Sequence, residues 1–170
     1  MDFDQADALN VAIRAIGIRH RALAGTLLVP LGLHPGQEVL LLELDASGPR
    51  TQGQLAAASG CEPPTITGSV HKLEAAGLVV RRPSPTDGRV TIVELSDRGH
   101  ALMPALKAAW KQLAEQTVLG LTSTPLDRLS DALADLARSL TATDAPANEP
   151  ATLPGGVTAI RIGAFAPSDK

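Results

Sequence analysis

Cysteine is almost missing from this chain: Cys61 stands alone among 170 residues. A single thiol closes no intrachain disulfide, so the fold must hold by its core, and a reducing, cytoplasmic compartment is expected. Aromatic residues are nearly as scarce, with Phe3, Trp110 and Phe165 and no tyrosine. That argues against an RNA-binding sheet, which stacks bases on exposed rings. No apolar run approaches the ~18 residues of a membrane span, so no membrane partner is expected. The opening Met1-Asp2-Phe3-Asp4 is acidic, against a secretory leader with a basic head. No phosphate-cradling glycine loop, Ser/His/Asp spacing or paired-carboxylate pattern stands out, and the four histidines are scattered. Neither catalysis nor a cofactor is therefore expected.

What is present suits a folded domain. A chain this long buries roughly 70% of the surface its unfolded form exposes, and 44% hydrophobic against 19% charged residues is the balance of a globular protein. The net charge is −3, but it is unevenly spread. Residues 1–49 carry three Arg against six Asp and Glu, and residues 101–170 six basic against seven acidic side chains. Only residues 50–100 are net positive, with six basic against five acidic groups besides His71 and His100. Such a footprint is weak by itself.

Periodicity divides the chain. Leu9, Ile13, Ile16, His20, Leu23 and Leu27 share one helical stripe, predicting a helix over 5–28 that Pro30 and Gly32 break. A second helix is expected from Pro35, whose fixed φ suits a first helical position, through Leu44, with Gly48-Pro49 as its stop. Thr51 and Gln54 form a capping-box pattern before a short helix at 55–58, which Gly60 closes. Pro63-Pro64 open another helix with Ile66, Val70 and Leu73 inward, ended by Gly77.

The pattern then shortens. Residues 78–82 and 90–95 are β-branched and strand-like, and the Pro-, Ser-, Asp- and Gly-bearing segment 83–88 joins them as a hairpin. Ser96 caps a long helix at about 97–120 with Leu102, Leu106, Ala109 and Leu113 inward, and Pro104 is a candidate bend. Thr124-Pro125 open a last helix, where Leu126, Leu129, Leu133, Leu136 and Leu140 repeat over two heptads. Residues 1–140 thus form one domain. Residues 141–170 read as a Pro/Gly/Ala-rich tail with weak strand character at 157–165.

Helix, Gly-containing turn (Ser59-Gly60-Cys61), helix and hairpin follow the order of a winged helix-turn-helix. The fold class is mainly α with a small β wing. The helix after the turn is then a recognition helix. Its apolar residues face the core, which leaves Thr65, Thr67, Gly68, His71 and Lys72 on other faces.

The fragments in this order resemble the MarR-type transcriptional regulators. They are Leu31-Gly32-Leu33-His34-Pro35-Gly36-Gln37, Pro63-Pro64-Thr65-Ile66-Thr67 and Leu73-Glu74-Ala75-Ala76-Gly77-Leu78-Val79, then Arg81-Arg82-Pro83 to Asp87-Gly88-Arg89 and Glu94-Leu95-Ser96-Asp97-Arg98-Gly99. The likeness covers roughly residues 5–140. It implies a homodimer joined through the first and last helices, with Leu9, Ile13, Ile16 and the five leucines at 126–140 at the interface. It implies two lobes on a palindromic DNA operator, repression as the usual outcome, and release by a small phenolic or other aromatic effector. On the DNA face it places Thr51, Gln52, Pro64, Thr65, Thr67, Gly68, His71, Lys72, Arg82 and Arg89, with Arg89 at the wing tip aimed at a minor groove.

This sequence departs from the family where many members carry Arg and it carries Gly68. Gly costs about 1 kcal/mol against Ala in a helix, and the guanidinium that reads guanine is gone. Base readout then falls to Thr65, Thr67, His71 and backbone proximity, with Lys72 on phosphate. An effector pocket is expected beside the first helix and the start of the second, near His20, His34 and Glu38, because polar groups beside an apolar stripe orient a mostly hydrophobic ligand. His34 and Glu38, four apart, have a metal-ligand spacing without a third ligand, so no metal is assigned. Two alternatives stand beside the regulator: a winged helix used only for protein dimerisation, and a thiol-based redox sensor through Cys61, which precedes a helix N-terminus.

Overall fold

Asp2 opens the first helix. Its carboxylate accepts the Gln5 N–H at 2.9 Å while Gln5 Oε1 accepts the Asp2 N–H at 3.2 Å, a reciprocal capping box. In the computed structural model, which describes residues 1–87 and 90–142, this helix, α1, spans Phe3–Leu28. It starts two residues before the predicted 5–28 because the cap lies outside the apolar stripe. A 3-10 turn at Val29–Leu31 and Gly32, at φ +70°, bring the chain out of it.

The second helix, α2 (Gln37–Ser47), corrects its expected start. Pro35 lies before the helix, and Gly36 occupies the cap position at φ +105°, a left-handed conformation that favours glycine. A strand absent from the sequence reading follows: β1 (Arg50–Thr51), two residues long. Then come α3 (Gln52–Ser59), α4 (Pro63–Ala75), β2 (Val79–Pro83), β3 (Thr91–Leu95), α5 (Asp97–Val118) and α6 (Leu126–Ala142). The sheet is antiparallel in the order β1-β3-β2, with Arg50 opposite Val93 and Val79 opposite Leu95. The wing is therefore a hairpin with a third short strand on its edge.

One core joins the helices to the sheet. Leu40, Leu41 and Leu44 of α2, Leu55 of α3, Ile66, Val70 and Leu73 of α4, Val79 and Val93 of the sheet, and Met103, Leu106 and Leu113 of α5 are all buried. On α5 Met103 goes inside where Leu102 was expected, and Leu102 and Ala109 are half-buried. The helix continues through Pro104, which is exposed. Lys107 and Asp45, 2.7 Å apart, tie α5 to α2 at the surface.

The start of α5 fixes the wing. Ser96 Oγ accepts the Gly99 N–H at 3.0 Å and donates to the Gly77 carbonyl at 2.6 Å. The Ser96 N–H bonds the Leu78 carbonyl oxygen at 3.1 Å. That same oxygen occupies the space a Cβ on Gly99 would need. Glycine at 99 is what lets α5 close on the chain leaving α4.

The last helix runs two residues past the expected boundary at Leu140. The tail reading, including strand character at 157–165, lies outside the described residues, as does Arg89 at the wing tip.

Candidate functional site

α4 is held from beneath. Glu62 is extended and Pro63 takes the first helical position, where a missing N–H costs nothing. Ile66, Val70 and Leu73 are at most 2% exposed, so one face of α4 is locked in the core. Pro64, Thr65, Thr67, Gly68, His71 and Lys72 all stand exposed on the remaining faces, as the helical period predicts.

The start of α3 supports that surface. Thr51 Oγ1 accepts the Gln54 N–H at 3.1 Å and Gln54 Oε1 accepts the Thr51 N–H at 2.9 Å, the expected capping box. Thr51 and Gln52 are half-buried. The Thr67 hydroxyl lies 3.0 Å from Gln52 Oε1 and 3.1 Å from the Pro63 carbonyl oxygen, and donates its proton to one of them. Two residues placed on the DNA face thus also touch each other.

Arg81 and Arg82 of the wing are paired with carboxylates. Arg81 Nε donates to Glu74 Oε2 at 2.8 Å, and its terminal nitrogen lies 2.7 Å from the same oxygen. This hydrogen bond, with the Arg81 and His71 charges, holds the Glu74 carboxyl below its ordinary range against a smaller opposing desolvation. Arg82 pairs across the hairpin with Glu94, while the Arg82 side chain stays mostly exposed. The wing's turn is closed by the Ser84 N–H on the Val90 carbonyl at 2.7 Å and the Val90 N–H on the Asp87 carbonyl at 2.9 Å. In the turn before α4, Cys61 is half-buried and its thiol donates to the Ser59 carbonyl at 3.6 Å.

The residues expected around one effector pocket do not gather as expected. A cleft of about 290 Å³ lies between α1 and α5, lined by Ala15, Ile16, Arg19, His20, Leu23, Gln116 and Thr117. Of the three residues named from sequence, only His20 reaches it. His34 is exposed, and its backbone N–H donates to Gln37 Oε1 at 2.9 Å. Glu38 turns inward, 5% exposed, and accepts the Gly36 N–H at 2.6 Å. His34 lies outside α2, so the two do not share the helical face their spacing suggested. Burial raises the Glu38 carboxyl above its ordinary range. The hydrogen bonds of the Glu38 and Gly36 N–H groups and the Arg21 and His20 charges oppose this less strongly.

The faces assigned to self-association are open. Leu9, Ile13 and Ile16 of α1 are 45–59% exposed, and Leu126, Leu133, Leu136 and Leu140 of α6 are 46–67% exposed. Leu129 is half-buried.

Sequence reasoning missed Arg19, Gln116 and Thr117, which tertiary packing alone brings to the cleft. It also missed Glu74 and Glu94 as partners of the wing arginines. For Glu94 a signal existed, since cross-strand neighbours of opposite charge pair on one face of a hairpin. Among the described residues, no helix is long and apolar enough to cross a membrane.

Comparison with known proteins agrees with this geometry. The family model described as MarR family matches residues 33–91, which run from just before α2 into the wing. The HTH-type transcriptional repressor NicR of Pseudomonas putida is 33% identical over 113 residues, covering 66% of this chain and 72% of that protein. A probable transcriptional regulator from Pseudomonas aeruginosa superposes with a TM-score of 0.70 at 32% identity, over 75% of this chain and 96% of that one. CouR from Rhodococcus jostii, solved bound to p-coumaroyl-CoA, gives a TM-score of 0.66 at 26% identity over 77% and 92% of the two chains. The chain belongs to the MarR family of winged-helix, DNA-binding transcriptional regulators.

Proposed function

We propose that this regulator is a homodimeric repressor that binds a palindromic operator and is released by a small aromatic or phenolic effector. The observation that carries the reading is α4: its apolar side is fixed in the core, and its exposed side offers short, hydrogen-bonding and cationic groups to a major groove. Thr51 and Gln52 flank it, Arg82 extends the surface along the wing, and the role of minor-groove probe is assigned to Arg89. NicR's name as a repressor supports the direction of regulation.

A two-fold dimer reads two-fold DNA. The exposed leucine face of α6, with Leu9, Ile13 and Ile16 of α1, is the surface that pairs the lobes. The functional unit is the helical and winged part of the chain, residues 1–142, with the remaining tail outside it. The effector is assigned to the cleft at His20, where apolar walls meet Arg19, His20 and Gln116. CouR's bound p-coumaroyl-CoA supports an effector that carries an aromatic group. An effector that binds more tightly to a lobe spacing unfit for DNA shifts the dimer toward it, and by reciprocity binds less well when DNA is present.

Gel-shift titration of duplexes tiling the region upstream of the gene tests the reading. One duplex is expected to bind far more tightly than a random duplex at physiological salt. Equal affinity for all would overturn it.

A further inference from the structure

Gly68 sits where the fold has no use for a glycine. It lies mid-helix in α4, diametrically opposite the buried stripe of Ile66, Val70 and Leu73. Six other glycines have local causes. Gly32, Gly36, Gly48, Gly60 and Gly77 hold left-handed or otherwise positive φ angles, and Gly99 packs against the Leu78 carbonyl. At Gly68 the backbone is helical, and beyond the adjoining residues and the helix's own backbone nothing lies within 4 Å of the position a Cβ would take. Gly17 in α1 and Gly120 after α5 also have open space at the Cβ position, but neither lies on α4. Alanine at 68 would favour the helix by about 1 kcal/mol.

The neighbours of Gly68 at three and four residues are Pro64, Thr65, His71 and Lys72, all exposed. They border a notch whose floor is bare backbone, and none of their side-chain atoms comes within 4 Å of where a Cβ on Gly68 would stand. The Pro64 ring and the Thr65 methyl are apolar, whereas His71 and Lys72 donate hydrogen bonds. A T·A pair offers the matching edge in the major groove, with the C5 methyl beside the O4 acceptor of thymine.

We propose that Gly68 is a specificity-determining residue: its notch admits the C5 methyl of a thymine in each operator half-site and brings α4 closer to the base edges than a side chain would allow. The inference rests on the DNA-binding reading above and adds to it which base is read, and by what. Close backbone approach is a standard use of glycine. Here the group that needs the space is on the DNA.

The test selects binding sites from a randomised duplex pool with the wild-type full-length chain. Each thymine of the selected site is then replaced by deoxyuridine, and binding is measured for the wild type and Gly68→Ala. In the wild type, one thymine per half-site is expected to lose roughly fourfold in affinity on conversion to deoxyuridine, the equivalent of one buried methyl. Gly68→Ala is expected to bind the selected site about tenfold more weakly and to ignore that conversion, because two methyl groups cannot share one notch. It is also expected to melt at the wild-type temperature or above. Wild-type affinity in Gly68→Ala, a thymine methyl that matters equally to both proteins, or no sensitive thymine would overturn the inference alone. Melting of Gly68→Ala well below the wild type would do the same, by showing that the fold needs the glycine. A wild-type chain that enriches no sequence would overturn the DNA-reading role itself, and the inference with it.

Discussion

The Thr67 hydroxyl lies 3.0 Å from Gln52 Oε1, so the first turn of α3 steadies a side chain on the exposed face of α4. Gln52 thereby has a positioning role besides any contact of its own. Gln52→Ala leaves Thr67 only the Pro63 carbonyl at 3.1 Å. One partly exposed hydrogen bond is worth about 1 kcal/mol or less to the fold, so the melting temperature is expected to move little. Operator affinity, read by fluorescence anisotropy, is expected to fall several-fold. Wild-type affinity in this variant would remove Gln52 from the DNA-facing unit.

The Arg82–Glu94 pair gives a second test. Glu94 holds a guanidinium that the operator's phosphates would also attract. Glu94→Gln keeps the shape and frees the charge, so it is expected to tighten binding at low salt. Arg82→Ala is expected to weaken binding and to lower the salt slope by about 0.9, the loss of one phosphate contact. Identical salt slopes in the wild type and both variants would place the outer wing away from DNA.

Two carboxyls make opposite claims about pH. Burial raises Glu38 above its ordinary 4.5, so its stabilising protonated form is complete below that value and is lost as pH rises through the folded pKa. The melting temperature of Glu38→Gln relative to the wild type is therefore expected to climb as pH goes from 4 to 7. The Arg81 hydrogen bond lowers Glu74, so its stabilisation is present above 4.5 and is lost as pH falls through the folded pKa. Relative to the wild type, Glu74→Gln is expected to fall over the same rise in pH. Parallel trends in the two variants would refute the assigned environments.

Gly99→Ala and Gly68→Ala are chemically identical changes with opposite expectations. At 99 the new methyl overlaps the Leu78 carbonyl oxygen, and backbone that must shift for it costs roughly 1–3 kcal/mol. Thermal melting is expected to fall for Gly99→Ala. A stable Gly99→Ala variant would mean that α5 does not close on the chain leaving α4 as described.

Local chemistry is what the sequence displayed. Ser96, Pro63 and the Thr51–Gln54 box act within a few residues, so their helix starts were legible; Asp2 and Gln5 were equally local and were passed over because they precede the apolar stripe. Ile66, Val70 and Leu73 announced their face by period. By contrast, β1 is too short to alternate, and its pairing partner Val93 lies far along the chain. Whether Glu38 faces solvent or core depended on the left-handed turn at Gly36, which no periodicity encodes. The cleft needs Gln116 of α5 beside His20 of α1, and only packing supplies that neighbour. The partner of Arg81, Glu74, sits on α4, which only packing brings to the wing, whereas Arg82 and Glu94 meet across the hairpin itself.

The central claim is that two chains, joined through α1 and α6, place two copies of α4 on one operator. Sedimentation equilibrium of the full chain with its selected duplex tests this most directly. The expected result is two chains of 17.6 kDa per duplex, with a dimer of the same two chains when DNA is absent. One chain per duplex at saturation, from a protein that sediments alone as a monomer, would contradict the account.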